Sequence, residues 1–193
     1  MSIGSRRNLH RLLVGALAVL ATAPVAWTQT SDARETFYAF AVNMGNLGPT
    51  GARTVDIGIE RWSTESERDE LKAALIEKGP DGLLAALRKQ PRVGDLRLPG
   101  RLGYDLRYAR QLPLEGGGRR VLLATDRRIG FLEARNHGAT DYPFTVIELV
   151  LDGHDKGEGK MALAAQIRLN STNELEIENA SSEPVRLNAV QKR

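Results

Sequence analysis

The chain has 193 residues, 41% of them hydrophobic and 26% charged, and no cysteine. These are the proportions of one ordinary globular domain; they exclude a disordered or repeat protein and leave little room for a second full domain. The formal charge of +3 comes from Arg6, Arg7 and Arg11 in an opening segment without acids, and beyond that segment 24 basic and 24 acidic residues balance, so a sequence pI near 9.4 does not mark the rest as a binder of nucleic acid or anionic lipid.

The N-terminus reads as an export signal. The three arginines supply a positive flank, Leu12 to Ala23 an apolar run, and Ala26-Trp27-Thr28 small groups at the two positions that a signal peptidase inspects. The run falls short of the ~20 apolar residues of a bilayer span, so cleavage before Gln29 is expected, leaving no stable membrane span. Ser5 to Leu9 resembles the start of a twin-arginine signal, but His10 stands where a second apolar residue belongs, which favours general secretion. The expected organisation is a signal peptide over 1–28 and one β-rich domain over 29–193, periplasmic or secreted. Without cysteine, neither a lipid anchor nor a disulfide is available, and core burial alone must hold the domain.

Thr36 to Val42 and Thr54 to Trp62 are rich in aromatic and β-branched residues, and in the second Val55, Ile57 and Ile59 alternate with Asp56, Gly58 and Glu60, which predicts two strands. Gly45, Gly48, Pro49 and Gly51 make a loop between them. The period then changes: Thr64 and Glu67 form a capping box ahead of Leu71, Ala74 and Leu75 at helical spacing. Gly79 and Pro80 end that helix, and Asp81 is expected to cap a second short one that Pro91 stops. A helical hairpin covering a sheet is favoured over a DNA-reading helix-turn-helix.

Period-two alternation returns at Tyr104, Leu106 and Tyr108, and further strands are predicted over Arg119 to Thr125, Phe144 to Leu151, Lys160 to Leu169, Asn173 to Asn179 and Val185 to Val190. In the Lys160 strand, Met161, Leu163, Ala165, Ile167 and Leu169 share one apolar face. Gly116 to Gly118, Asp152 to Gly159, Asn170 to Asn173 and Ser181 to Pro184 read as turns. Strands joined by short turns pair antiparallel. The fold class is therefore mainly β (β-rich α+β), an antiparallel barrel or sandwich of about eight strands, with a short helical pair after the second strand.

Chemistry has little material. Beyond the signal only His137 and His154 remain, no cysteine is present, and no Gly-x-Ser-x-Gly elbow, phosphate loop or dinucleotide fingerprint occurs, so no cofactor is expected. The turn at Asp152, His154, Asp155 and Glu158 fails the calcium-loop template, because His154 and Lys156 stand at ligand positions and Leu163 where the closing glutamate belongs, and no metal is expected. The most polar cluster spans Asp126 to Pro143: Glu133 or Asp141 as general base, His137 as its partner and Arg135 as anion stabiliser would serve a hydrolase or isomerase if they converge. The competing reading is a strand over Ile129 to Arg135 followed by a solvated turn. Arg88 to Arg135 holds 12 basic and five acidic residues, either a polyanion-binding face through Arg107, Arg110, Arg119 and Arg120 or cations paired with acidic flanks. Trp62, Tyr104, Tyr108 and Arg107 are the candidates for touching a ligand.

The stretches Val55 to Thr64 (VDIGIERWST), Gly130 to Asn136 (GFLEARN), Asp141 to Thr145 (DYPFT) and Lys156 to Lys160 (KGEGK) resemble segments of a group of exported bacterial proteins of unassigned function. The resemblance implies export and a β-rich domain, and brings no activity with it. The expected function is a non-catalytic exported domain that binds a small apolar or amphipathic ligand, or a cell-envelope partner, through a barrel mouth or cavity. The alternatives are the enzyme above and an envelope protein–protein interaction module. Nucleic acid is not expected as a partner, and the oligomeric state stays open.

Overall fold

The computed structural model describes residues 34–42, 52–100, 102–127, 129, 144–163, 166–169, 175–179 and 185–193, with the backbone alone for 52, 163, 166–169 and 175–179. Along these run β1 (Glu35–Val42), β2 (Ala52–Ile59), α1 (Glu65–Lys89), β3 (Gly94–Arg97), β4 (Tyr104–Pro113), β5 (Arg119–Thr125), β6 (Thr145–Leu151), β7 (Lys156–Leu163), β8 (Gln166–Leu169), β9 (Leu175–Asn179) and β10 (Val185–Lys192). Eight strands close into a barrel in the order β1-β10-β7-β6-β5-β4-β3-β2, while β8 and β9 pair by themselves. Every neighbouring pair in the barrel is antiparallel. The barrel thus prevails over the sandwich.

Alternation along the strands sets inside from outside. In β1, Glu35, Phe37, Ala39 and Ala41 are buried while Thr36 and Phe40 are exposed. Residues such as Phe37, Ile57, Leu96, Leu106, Val121, Leu123, Ile147, Leu149, Met161 and Leu187 fill the interior as one continuous cluster. A barrel of about eight strands is just wide enough to be packed by its own side chains, and this one is.

A second core lies on the outer wall. Leu71, Leu75, Leu83, Leu84 and Leu87 of α1 bury Tyr108, Ala124, Phe144 and Val146, so β6 is buried on both faces from Thr145 to Ile147 and alternates only beyond. The helical pair covers a sheet, as expected. Its two halves abut without a loop: Gly79, at φ 65° and ψ −160°, is the one non-helical residue within α1. Pro80 and Asp81 are therefore already helical. Asp81 does not cap the second half; Gly79 takes that place, with Pro80 at the first helical position, where its missing N–H costs nothing.

Three strand assignments change. β3 had no forecast, being four residues long. The predicted turn Asp152 to Gly159 ends at Asp155, and Lys156 to Gly159 belong to β7. Gly157 and Gly159 mark close approach and not a turn: a Cβ on Gly157 would collide with the Val150 carbonyl oxygen, and one on Gly159 would meet the Glu148 carbonyl oxygen at 2.6 Å. The predicted strand from Lys160 to Leu169 divides between β7, in the barrel, and β8, outside it, so Met161 and Ile167 do not share a face of one sheet.

The two barrel ends differ. One carries the turns β4–β5 and β6–β7, the start of β1 and the finish of β10; it is called the hairpin end here. At the opposite end β1, β5 and β7 finish and β2, β6 and β10 begin.

Candidate binding cleft at the hairpin end

Five side chains from five parts of the chain close the hairpin end. Arg119, first in β5, points inward like Val121 and Leu123 after it. Its NH1 and NH2 donate to Glu35 Oε1 (3.1 Å) and Oε2 (2.7 Å), NH1 also donates to Gln111 Oε1 (2.7 Å), and Nε donates to Asp155 Oδ1 (2.8 Å). NH2 lies a further 2.7 Å from the same Asp155 oxygen. A guanidinium has five N–H donors, and all five are engaged. Lys192 Nζ adds looser contacts, 3.5 Å from Glu35 Oε1 and 3.5 Å from Asp155 Oδ2.

The network is buried at Glu35 and Arg119 and open to water at Asp155 and Lys192, each about a third exposed, and it is electrically neutral, two cations against two carboxylates, which is what lets charge persist at its buried side. The Glu35 side chain is 8% exposed and that of Arg119 17%, and the Phe37 ring lies 5.6 Å beneath the guanidinium. Burial works against the charge on Arg119, but the hydrogen bonds and negative charge of Glu35 and Asp155 outweigh it and hold its pKa above the ordinary value. Main-chain bonds fix the same end, with Lys192 N–H donating to the Asp155 carbonyl and Arg193 N–H to that of Thr36.

Above this floor, between the two hairpins, opens a cleft of about 270 Å³ lined by Gln111, Leu112, Pro113, Gly117, Gly118, Arg119, Asp152, Gly153, Asp155 and Lys192. Asp152 Oδ1 accepts from the main-chain N–H groups of His154 (2.8 Å) and Lys156 (3.0 Å), which shapes the turn. These bonds, that of Lys156 foremost, hold the Asp152 carboxyl below its ordinary pKa. Its second oxygen meets no partner among the described residues. A second hollow, on the outer wall, is lined by Asp56, Glu60, Asp95, Arg34 and Arg97 among others; Asp95 there is tied to Arg97 (2.6 Å) and Arg92 (3.2 Å).

Glu133, Arg135, His137 and Asp141 lie outside the described residues. Trp62 and Tyr104 belong to the barrel core and Tyr108 to the core beneath α1. Trp62 Nε1 is buried without a partner. Arg107 is on the outer wall, bound to Asp105 and Asp126 (3.2 Å each) and to the Gln90 carbonyl. The three aromatic rings are framework, not a platform around one hollow.

The surplus of arginines resolves into ion pairs. Arg107, Arg110, Arg119 and Arg120 meet Asp105 and Asp126, Glu65, Glu35 and Asp155, and Glu148 respectively. Four of those acids, Glu35, Glu65, Glu148 and Asp155, come from the acidic flanks. Among the described residues no three His, Cys, Asp or Glu side chains are grouped to hold a metal, and no helix is long and apolar enough to cross a membrane.

Sequence reasoning missed Glu35, Gln111 and Lys192, and placed Asp155 and Arg119 in unrelated settings. One signal was available: Glu35 stands in phase with Phe37, Ala39 and Ala41, so an acid occupies an inward position. Comparison of the chain with protein-family models, with curated proteins and with solved structures finds no match.

Proposed function

We propose that this chain is an exported, non-catalytic binding domain, periplasmic or secreted, that takes a small amphipathic ligand or an envelope component at an end of its barrel. The interior is filled by one cluster of buried side chains from Phe37 to Val190, which counts against the cavity expected for a guest; the observation that supports the reading is the cleft at the hairpin end. A lumen packed to native density has no room for a guest, which moves binding to the surface. There the hairpin-end cleft combines an apolar rim, Leu112 and Pro113, with fixed charges, the mixture that small-molecule sites use for affinity and orientation.

The marks of a protein–protein module are weaker. Barrel closure leaves the barrel strands no free edge, and open edges are confined to the two-stranded β8–β9 sheet; among the described residues the exposed large apolar side chains, Phe40, Ile76, Leu102 and Val150, are distributed over different elements, and scattered singly, such residues need no special account.

The test begins with the full chain expressed in a bacterial host. N-terminal sequencing of the periplasmic product is expected to start at Gln29, and an uncleaved product removes the exported part of the reading. Screening that product by thermal shift against amino acids, sugars and lipid fragments is expected to raise the melting temperature for at least one class. A uniformly flat screen would count against a small-molecule role.

A further inference from the structure

The cleft at the hairpin end selects its ligand by the charges that face it. Arg119 does not recruit an anion, because its five donors are taken by Glu35, Asp155 and Gln111. Glu35 is likewise committed, both oxygens facing cations. Two groups keep capacity. The Lys192 ammonium has three donors and holds its two acids only at 3.5 Å, and Asp152, on the exposed side of the hollow, offers one carboxylate oxygen that meets no group among the described residues.

Those two groups are opposite in sign and line one hollow. A simple anion would find Lys192 but meet Asp152 and Asp155; a simple cation would find Asp152 but meet Lys192. A molecule carrying both charges meets both walls without changing the net charge of the cleft, a form of the electrostatic complementarity that gives specificity. Size limits it further. At about 270 Å³ the hollow falls just under the range of drug-sized sites, and Gly117, Gly118 and Gly153 contribute main chain without side chains. Leu112 and Pro113 provide apolar contact for the rest of the ligand.

We infer that the cleft between the β4–β5 and β6–β7 hairpins binds a small zwitterion of amino-acid or dipeptide size, its carboxylate on Lys192 and its ammonium on Asp152. The inference rests on the binding-domain reading above and adds the place and the chemical class.

The experiment is an amide NMR titration of the periplasmic product of the full chain with L-leucine and Gly-Leu, and with N-acetyl-leucine and leucinamide, each of which lacks one charge. At least one zwitterion is expected to shift the amides of Gly117, Gly118, Gly153 and Asp152, and each blocked probe is expected to bind about tenfold more weakly, the worth of one charge-assisted bond. Asp152→Asn keeps an oxygen for the two turn N–H groups and removes the charge; it should weaken the zwitterion about tenfold while leaving N-acetyl-leucine unaffected. Lys192→Gln should do the converse, weakening the zwitterion and sparing leucinamide. Equal binding of blocked and unblocked probes, or shifts confined to another part of the barrel, overturns the zwitterion cleft but leaves the binding domain standing. Silence from both zwitterions, with a sugar or lipid fragment positive in the thermal screen, does the same. Silence from every probe and every screened class overturns both.

Discussion

Arg119 makes the hairpin end depend on acids far away along the chain, and its removal or theirs has a calculable consequence. Taking one partner from a buried pair leaves the other charged and unmet, which costs about 3 kcal/mol. Glu35→Gln is therefore expected to destabilise the protein by about that amount in equilibrium urea unfolding, with an unchanged dependence on denaturant. A loss below ~0.5 kcal/mol, the range of an ordinary surface change, would show that the network is solvated and not a buried clasp. Glu67 sets a different kind of test. It receives Arg61 at 2.8 and 3.0 Å and completes the capping box with Thr64, and the Arg61 bond holds its carboxyl below the ordinary 4.5. A depressed folded pKa gives stability that is complete above the unfolded value and disappears as pH falls through the folded one. Stability should decline as pH falls below the ordinary 4.5 of the carboxyl, and Glu67→Gln should make that decline shallower; parallel profiles for the two proteins would refute the assignment.

At the scale of elements, the kink in α1 is a single residue's doing. Gly79 occupies a φ/ψ region open essentially to glycine alone, and a Cβ there would touch nothing within 4 Å, so strain is the only term in Gly79→Ala. A cost of about 1–3 kcal/mol is expected in urea unfolding; a neutral result would mean the two halves can join as one straight helix. The same residue shows what was legible beforehand. Gly79-Pro80 announced a break, the capping box announced the helix start, and alternation announced seven of the eight barrel strands, because each of these signals is local. Glycine was misleading in β7, where Gly157 and Gly159 carry turn composition yet serve to let β6 approach. β3 was invisible because four residues cannot display a period. The cleft was illegible for a different reason: Glu35, Gln111, Arg119, Asp155 and Lys192 are brought together only by barrel closure, which pairs β1 with β10, and no spacing in the chain encodes that meeting.

For the molecule as a whole, the question is whether two cores behave as one. The barrel interior and the helix-covered outer wall are separate clusters of side chains, but β4, β5 and β6 contribute to both, Leu123 and Ile147 facing inward while Ala124 and Val146 face α1. Helices as short as the two halves of α1 are marginal in water by themselves, so they persist only while that wall stands. The wall in turn loses its outer cover if the helices leave. Mutual dependence of this kind makes unfolding all-or-none. Trp62, the one tryptophan beyond the proposed cleavage point, is 1% exposed in the barrel core, and it reports the barrel while dichroism at 222 nm weights the helices. The two signals are expected to trace one urea transition with the same midpoint. Loss of helical dichroism ahead of the Trp62 red shift would show α1 to be a detachable cover, and the barrel would then have to be stable with Tyr108, Ala124, Phe144 and Val146, which α1 now covers, in water.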